Sequence, residues 1–503
     1  MSDTKIVRLT ALDGSSIEFD SSEAIGSGAM KDVYFSPDKS YVVGFFRKEQ
    51  DNNSRERLER IINTYAKQLF EKEGGENLRK LFCWPTHIVE WQHKGITKLG
   101  VVAPTYRSNF FFSSGRFKGK EKEGKWFASP KLRNKILDDD QKGTWLNYLQ
   151  VCIKISRAVK RMHAAGLAHS DLSYKNVLVD PLKGDACIID IDGLVVPGKF
   201  PPDVVGTPDF IAPEVLETVA LAKTDPSKKV PSILTDRHAL AVLIYMYLLY
   251  RHPLRGGMIC DPDDSARDEE LCMGREALFI EHPTNRKNRP VVKNLEKFEL
   301  PQGDVDKLPY TLCGPYLKPL FDKAFIDGLH DPSKRPSADD WEKALIKTVD
   351  LIQPCQNPQC KEKWFVFDNT TKPVCPFCGT AYKGELPILN FYYRPRPNDS
   401  FRFENARLMV FSKQSLYKWH IDKNIHPNEK LTDADKKPVG DFHLHHGSWI
   451  LINRCMDDLY DVSDASNKKQ IPIGQSVPLT EGRKILFGTS VSSRLCVVQI
   501  VKN

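Results

Sequence analysis

The chain has no run approaching the ~20 consecutive apolar residues that a membrane-spanning helix needs; its longest candidate, residues 238–250, is too short. Its first residues, Met-Ser-Asp-Thr-Lys-Ile-Val, lack the apolar segment of a secretion signal. A soluble cytoplasmic protein that does not engage a membrane is the expectation. Strong charge of one sign is also lacking: 73 basic against 65 acidic residues leave a net +8. The one basic concentration, residues 116–125, reads as a solvated loop, so no nucleic-acid partner is expected. The twelve cysteines do not form a disulfide framework, because only four come in close pairs, at Cys355/Cys360 and Cys375/Cys378. That arrangement suits one metal site in a reducing compartment. No internal repeat is visible. Hydrophobic and charged shares of 41% and 27% exclude a disordered chain, and 503 residues exceed what one core organises.

What is present begins with short β-branched runs broken by Gly, Asp and Pro over residues 5–50, the pattern of strands and tight turns. Leu58, Ile61, Ile62, Tyr65, Leu69 and Phe70 then recur at helical spacing. Residues 88–102 return to strands, and from Trp145 the pattern is mostly helical, interrupted over residues 167–212. Pro354 and the cysteine pairs end that pattern, and Pro387, Pro395 and Pro397 mark a second linker before a strand-rich tail. In the tail, strands are expected at 416–421, 442–445, 448–453, 459–462, 469–473, 483–487 and 495–501, which favours a β-sandwich.

The chemistry-bearing motifs lie between these regions. His169-Ser170-Asp171-Leu172 is followed by Asn176. Two short apolar strands then deliver Asp190-Ile191-Asp192-Gly193. Gly206-Thr207-Pro208-Asp209-Phe210-Ile211-Ala212-Pro213-Glu214 comes next, and Asp236 and Arg335 follow in helical surroundings. Upstream, Gly26-Ser27-Gly28-Ala29-Met30-Lys31-Asp32-Val33 opens the strand region.

Order and spacing resemble the protein kinase superfamily, of the eukaryotic serine/threonine type. The resemblance implies an α+β, bilobal kinase fold over residues 15–350 that uses ATP and Mg²⁺ on a protein substrate. Asp171 is implied as the base for the substrate hydroxyl, with Asn176 and Asp190 on magnesium and Asp192 as a weaker metal candidate. Gly26, Gly28 and Val33 would surround the nucleotide, Ala103 would begin the hinge beside adenine, and Glu214 would pair with Arg335 while Asp236 anchors the catalytic loop. Departures from the family pattern concentrate on the cations. No Val-Ala-x-Lys is present, so the phosphate-clamping lysine is Lys48, paired with Glu59 (Glu56 lies one turn away), unless Gly44 occupies that position and Lys31 or Lys48 must reach in. The basic residue two places after Asp171 is replaced by Ser173, with Lys175 further on. Ser170 stands where many kinases carry the arginine that grips a phosphorylated activation loop, and residues 191–206 contain no Ser, Thr or Tyr. Activation without loop phosphorylation is therefore expected. The alternative is a pseudokinase scaffold that binds nucleotide and partners without efficient transfer.

Cys355, Cys360, Cys375 and Cys378 resemble a zinc ribbon over residues 352–384, holding a structural Zn²⁺. Trp449 to Asn453 and Pro478 to Gly488 resemble forkhead-associated domains, placing such a sandwich at 398–503. The phosphate-gripping elements of that family are absent, which favours a docking sandwich over a phosphothreonine reader, with Asn453 and Arg454 the residues to suspect otherwise. The whole order is similar to bacterial kinases of the tellurite-resistance-associated triad. That resemblance implies a metal-dependent Ser/Thr phosphatase and a von Willebrand factor A protein as partners.

Overall fold

The computed structural model describes residues 5–27, 30–196, 206–222, 224–368 and 372–502. Two compact units divide the chain. One comprises Met1–Lys142, Gln150–Val305 and Phe321–Asp339, and the other Gly143–Leu149, Asp306–Leu320 and Asp340–Asn503.

In the first unit, Ile6–Thr10 (β1) and Ser16–Asp20 (β2) form an antiparallel hairpin, and Ala11 bridges to Val89, so ordered structure begins before the expected start at residue 15. Gly26–Ser27 (β3), Lys31–Phe35 (β4), Tyr41–Phe46 (β5), His87–His93 (β6) and Ile96–Pro104 (β7) make a five-stranded antiparallel sheet in the order β3-β4-β5-β7-β6. One face is an aromatic core in which Phe19, Phe45 and Trp91 meet at centroid distances of 5.0–5.2 Å. Gly100 is required there, since a Cβ on it would come within 2.6 Å of the Phe45 ring. The helical segment starts at Asn52, where the Asp51 carboxylate accepts from the Ser54 amide at 2.8 Å. It continues through a π-helical stretch, Arg60–Tyr65, and Leu58 packs with Phe46, Ile88 and Val101.

The rest of the first unit is built around the helix Ile233–Leu249. Its all-round apolar sequence is explained by near-complete burial, and Ser232 and Thr235 close a capping box at its start. Val177–Asp180 (β8) and Asp185–Ile188 (β9) form the short hairpin that precedes Asp190.

In the second unit, Ile352–Pro354 (β10) pairs with Trp364–Val366 (β11) beside the cysteines. Trp145, at the start of the helix Trp145–Ala164, donates its amide to the Glu362 carbonyl at 3.1 Å and sets its ring 5.6 Å from Phe377. The sandwich follows. Glu385–Tyr393 (β12), Arg402–Met409 (β13), Ser415–Leu416 (β14), Gly440–His445 (β15), Ser448–Asn453 (β16), Tyr460–Asp461 (β17), Lys469–Gln470 (β18), Ser476–Pro478 (β19), Lys484–Leu486 (β20) and Leu495–Lys502 (β21) form two sheets. Their orders are β13-β12-β21-β20-β17-β18 and β14-β15-β16-β19, around a core that includes Phe391, Phe442, Leu451, Leu459 and Ile485.

Two expectations for the tail are corrected. Residues 416–421 are not one strand: after Leu416 the chain makes a helical turn, Lys418–Ile421, which buries His420 against Asp350 at 3.2 Å. Pro387 is not in a linker but inside β12, an inner strand, so the sandwich begins upstream of 398. Proline has no N–H for the ladder. The Pro387 carbonyl still accepts from the Val410 amide at 3.0 Å, and the Val410 carbonyl is satisfied instead by the Gln353 side-chain amide at 3.1 Å.

Candidate active site

The catalytic-loop segment is held from below by Asp236, which is 1% exposed. One of its oxygens accepts from the His169 amide at 2.7 Å and from His163 Nε2 at 3.1 Å; the other accepts from the Ser170 amide at 3.1 Å. Those bonds fix Ser170 in a left-handed conformation, φ 68°, a strain tolerated where the backbone is over-determined. Asp171 follows. Asn176 Nδ2 donates to the Asp171 carbonyl at 2.8 Å and to its Oδ2 at 3.0 Å, while Thr207 donates to Asp171 Oδ1 through its amide at 2.7 Å and its hydroxyl at 2.8 Å. The Thr207 hydroxyl also lies 3.2 Å from Ser173 Oγ. Thr207 and Ser173 were not among the expected site residues. Their signal is the Thr of the Gly-Thr-Pro run and the Ser that stands two places after Asp171.

The lower end of the activation segment is pinned by the expected pair. Arg335 gives Glu214 two parallel bonds, at 2.8 and 2.7 Å, and spends its other donors on the Gly328, Leu234 and Leu329 carbonyls.

Asp190 leaves the β8–β9 hairpin in a left-handed conformation, φ 62°, and faces β4. Lys31 Nζ donates to both Asp192 oxygens, at 2.7 and 2.6 Å, and to Asp190 Oδ1 at 3.1 Å. Burial alone would lower the lysine's pKa, but Asp192 and then Asp190 outweigh it and hold the ammonium well above the ordinary lysine range. The geometry that delivers it is a neighbour-strand substitution. Val33 pairs with Gly44 and Lys31 with Phe46 across β4 and β5, and a Cβ on Gly44 would stand 3.5 Å from Lys31 Cδ. The stem of Lys31 thus passes beside the space a side chain at Gly44 would enter.

The structure does not bring the other expected cation to this cluster. β5 ends at Phe46, and Lys48 lies beyond it, exposed, with no side-chain partner among the described residues. Glu59 pairs instead with Arg55 of its own helix at 3.5 Å, and Glu56 with Arg60 at 3.0 Å. The expected Lys48–Glu59 pair is therefore absent among the described residues, since β5 ends at Phe46 and Lys48 is exposed beyond it. Lys175 is exposed on the catalytic loop. Gly26 pairs with Val33 in the sheet; Gly28 lies outside the described residues. Ala103 sits in β7 opposite Val42, and the next carbonyl, of Pro104, accepts from Cys83 Sγ at 3.4 Å.

In the second unit, one sulfur from each of Cys355, Cys360, Cys375 and Cys378 lies within 4.8 Å of the others. The closest pairs are at 3.5 and 3.9 Å, near the ~3.8 Å edge of a tetrahedron with metal–sulfur distances of about 2.3 Å. Burial opposes ionisation of Cys378, but bonds from the Thr380 hydroxyl and amide bring its thiol down to about 6. Four thiols so placed fit a closed structural zinc site. Asn453 is no phosphate-gripping candidate: it is fully buried, and its side chain bonds the Met456 and Ile471 carbonyls and the Met456 amide. Arg454 is paired with Asp441.

Residues 131–343 match the family model described as "Protein kinase domain". The nematode Caenorhabditis elegans "Death-associated protein kinase dapk-1" is 35% identical over 107 residues, 20% of this chain and 7% of that protein. The "Serine/threonine-protein kinase PknD" of Chlamydia pneumoniae is 22% identical over 331 residues, 61% of this chain and 29% of that protein. Among solved structures, a Toxoplasma gondii rhoptry antigen kinase domain aligns with 68% of this chain and 86% of that one, at 13% identity and a TM-score of 0.41. The chain spans less than a third of the length of each of the two curated relatives. No helix among the described residues is long and apolar enough to cross a membrane. By the match over residues 131–343 and the serine/threonine kinases it resembles there, this chain carries a protein kinase domain.

Proposed function

We propose that the protein is an ATP- and Mg²⁺-dependent serine/threonine protein kinase whose phosphate-holding ammonium is supplied by Lys31 on β4. The observation that carries this reading is the joint placement of Lys31 on Asp190 and Asp192 with Asn176 and Thr207 on Asp171. Bound Mg²⁺ would supply charge neutralisation between the phosphates and the carboxylates. Asp190, with a side chain 55% exposed against 10% for Asp192, is the more accessible metal ligand, with Asn176 its partner. Asp192 acts chiefly as the anchor of Lys31. Asp171 receives the hydroxyl proton of the substrate, oriented by Asn176 and Thr207. Lys175 is exposed and available to the transferred phosphate.

Independence from loop phosphorylation is supported by Ser170, which offers no charge to a phosphate, and by the engagement of the Thr207 hydroxyl with Asp171 and Ser173. Cys355, Cys360, Cys375 and Cys378 hold zinc, and the two-sheet tail serves as a forkhead-associated-like docking module. Following the triad resemblance, a phosphatase and a von Willebrand factor A protein are its proposed partners.

The test is Mg²⁺-dependent incorporation from labelled ATP into the protein itself and a generic basic substrate, with wild type and Asp171→Ala. Incorporation lost in the variant supports the kinase. A folded wild type that binds ATP but transfers nothing supports the pseudokinase scaffold.

A further inference from the structure

The helix Ser265–Met273 starts on Asp264, whose carboxylate accepts from the Ala266 and Arg267 amides at 3.0 and 3.1 Å. Its pitch puts Asp268 and Cys272 one turn apart on one face. Cys260 arrives from the preceding loop, and its sulfur lies 3.2 Å from Cys272 Sγ, which in turn is 3.5 Å from Asp268 Oδ1. One donor atom from each of the three residues lies within 4.8 Å of the others. Asp268 Oδ1 also accepts from the Cys260 and Asp261 amides, at 2.5 and 3.0 Å. Those bonds fix the carboxylate's direction, as outer bonds do for metal-bound carboxylates. None of the three residues takes part in the proposed phosphoryl transfer.

We propose that Cys260, Asp268 and Cys272 form a second metal site that takes a thiophilic divalent cation, zinc in preference to magnesium. Metal–sulfur distances of about 2.3 Å and metal–oxygen distances of about 2.0 Å in a tetrahedron set sulfur–oxygen edges near 3.5 Å and sulfur–sulfur edges near 3.8 Å. The Cys272–Asp268 edge is already there, and the sulfurs must part by about half an ångström, a small rotation for two part-exposed side chains. Two thiolates select a soft cation, and hard Mg²⁺ is refused. Three protein ligands leave the fourth position to water.

Resting on the kinase reading, the site has a mechanical consequence. The same helix carries Glu269, which pairs with Arg255 at 2.7 Å; Arg255 Nε donates to Asp209 Oδ1 at 2.8 Å, and the hydroxyl of Tyr174, on the catalytic loop, donates to Asp209 Oδ2 at 3.0 Å. A metal tying Cys260 to this helix would steady Glu269, which holds Arg255 against Asp209 of the activation segment.

The full chain, purified under reducing conditions and equilibrated with zinc, is assayed for bound metal by elemental mass spectrometry. Cys260→Ser/Cys272→Ser is expected to hold one equivalent less than wild type, with unchanged circular dichroism. Asp268→Asn is expected to weaken that equivalent at least tenfold. Cobalt substitution adds a second readout, because the lost equivalent carries a two-thiolate charge-transfer band and the retained one a four-thiolate band. Equal metal content in wild type and the double variant overturns the proposal, as does a Cys260–Cys272 disulfide in wild type under these conditions. Metal content does not depend on phosphoryl transfer, so an inactive enzyme leaves this test intact.

Discussion

Replacing Lys31 by Met removes the ammonium that neutralises Asp190 and Asp192. The Asp192 contact dominates, because the Lys31 and Asp192 side chains are 18% and 10% exposed whereas Asp190 is 55% exposed and screened by water. Deleting one partner of a buried pair costs about 3–5 kcal/mol, and the lower end applies to a site open on the Asp190 side. A loss of about 3 kcal/mol lowers the melting temperature by about 4–5 °C in a unit of more than 300 residues. Mg²⁺ should return more of that loss in the variant than it adds to wild type, since the two carboxylates then lack their cation. Phosphate incorporation should fall about 10²–10³-fold, the cost of removing one preorganised charge from a reacting centre. Lys48→Met, at an exposed side chain with no side-chain partner among the described residues, should change stability by less than about 0.5 kcal/mol and leave incorporation within about threefold of wild type. Lys31→Gly with Gly44→Lys sends an ammonium through the vacated space and should recover at least tenfold of the lost activity. Calorimetry with and without Mg²⁺, together with initial rates, checks all three variants. Incorporation abolished by Lys48→Met and retained by Lys31→Met would refute the reasoning.

Asp236→Ala leaves the His169 and Ser170 amides without an acceptor, at about 1–3 kcal/mol each; denaturant melts should show a loss of roughly 3–5 kcal/mol, and an unchanged midpoint contradicts the anchoring role. His252 donates from Nε2 to the Asp209 carbonyl and accepts at Nδ1 from the Leu254 amide, and burial above all brings its pKa down from 6.5 to about 4. The unfolded chain then binds a proton that the folded chain refuses. As pH falls from about 6.5 to 4, wild type should lose about 3 kcal/mol more than His252→Gln; parallel pH–stability curves would dismiss this assignment. Gln353→Leu strands the Val410 carbonyl opposite Pro387 and should cost about 1–3 kcal/mol, and adding Pro387→Val should restore much of it by supplying an N–H, as a double-mutant cycle will register. A zinc chelator should speed hydrogen exchange across residues 352–384, since roughly 10 kcal/mol of metal binding supports so small a module; identical exchange in metal-free protein would exclude a structural metal there.

The parts of the site that follow from local chain order were legible in the sequence. Asp171, Asn176 and Asp190 lie a few residues apart along a loop and a hairpin whose apolar strands are short and unmistakable. Glu214 and Arg335 could be paired because each sits in a distinctive run, although 121 positions separate them. Lys31 and Lys48 could not be ranked by spacing, since the choice depends on the register of β4 against β5 and on where β5 ends. Thr207 was legible as a residue but not as a partner of Asp171, because nothing local reports that the segment folds back onto the catalytic loop. Pro387 misled for a physical reason: a proline stops a strand unless a side chain elsewhere supplies the missing donor, and Gln353 is 34 positions away.

The bond from the Trp145 amide to Glu362 has a consequence for how this protein can be taken apart. The unit that holds the cysteine module also contains residues 143–149, the opening turn of a helix that runs on to Ala164. Cutting the gene near residue 350 would free that turn as well as remove the tail, and a shortened enzyme would begin its long helix with a loose end. Recombination that exchanges such modules between proteins would have to carry Gly143–Leu149 and Asp306–Leu320 along with the tail. The tail and the catalytic region are therefore expected to be inherited together.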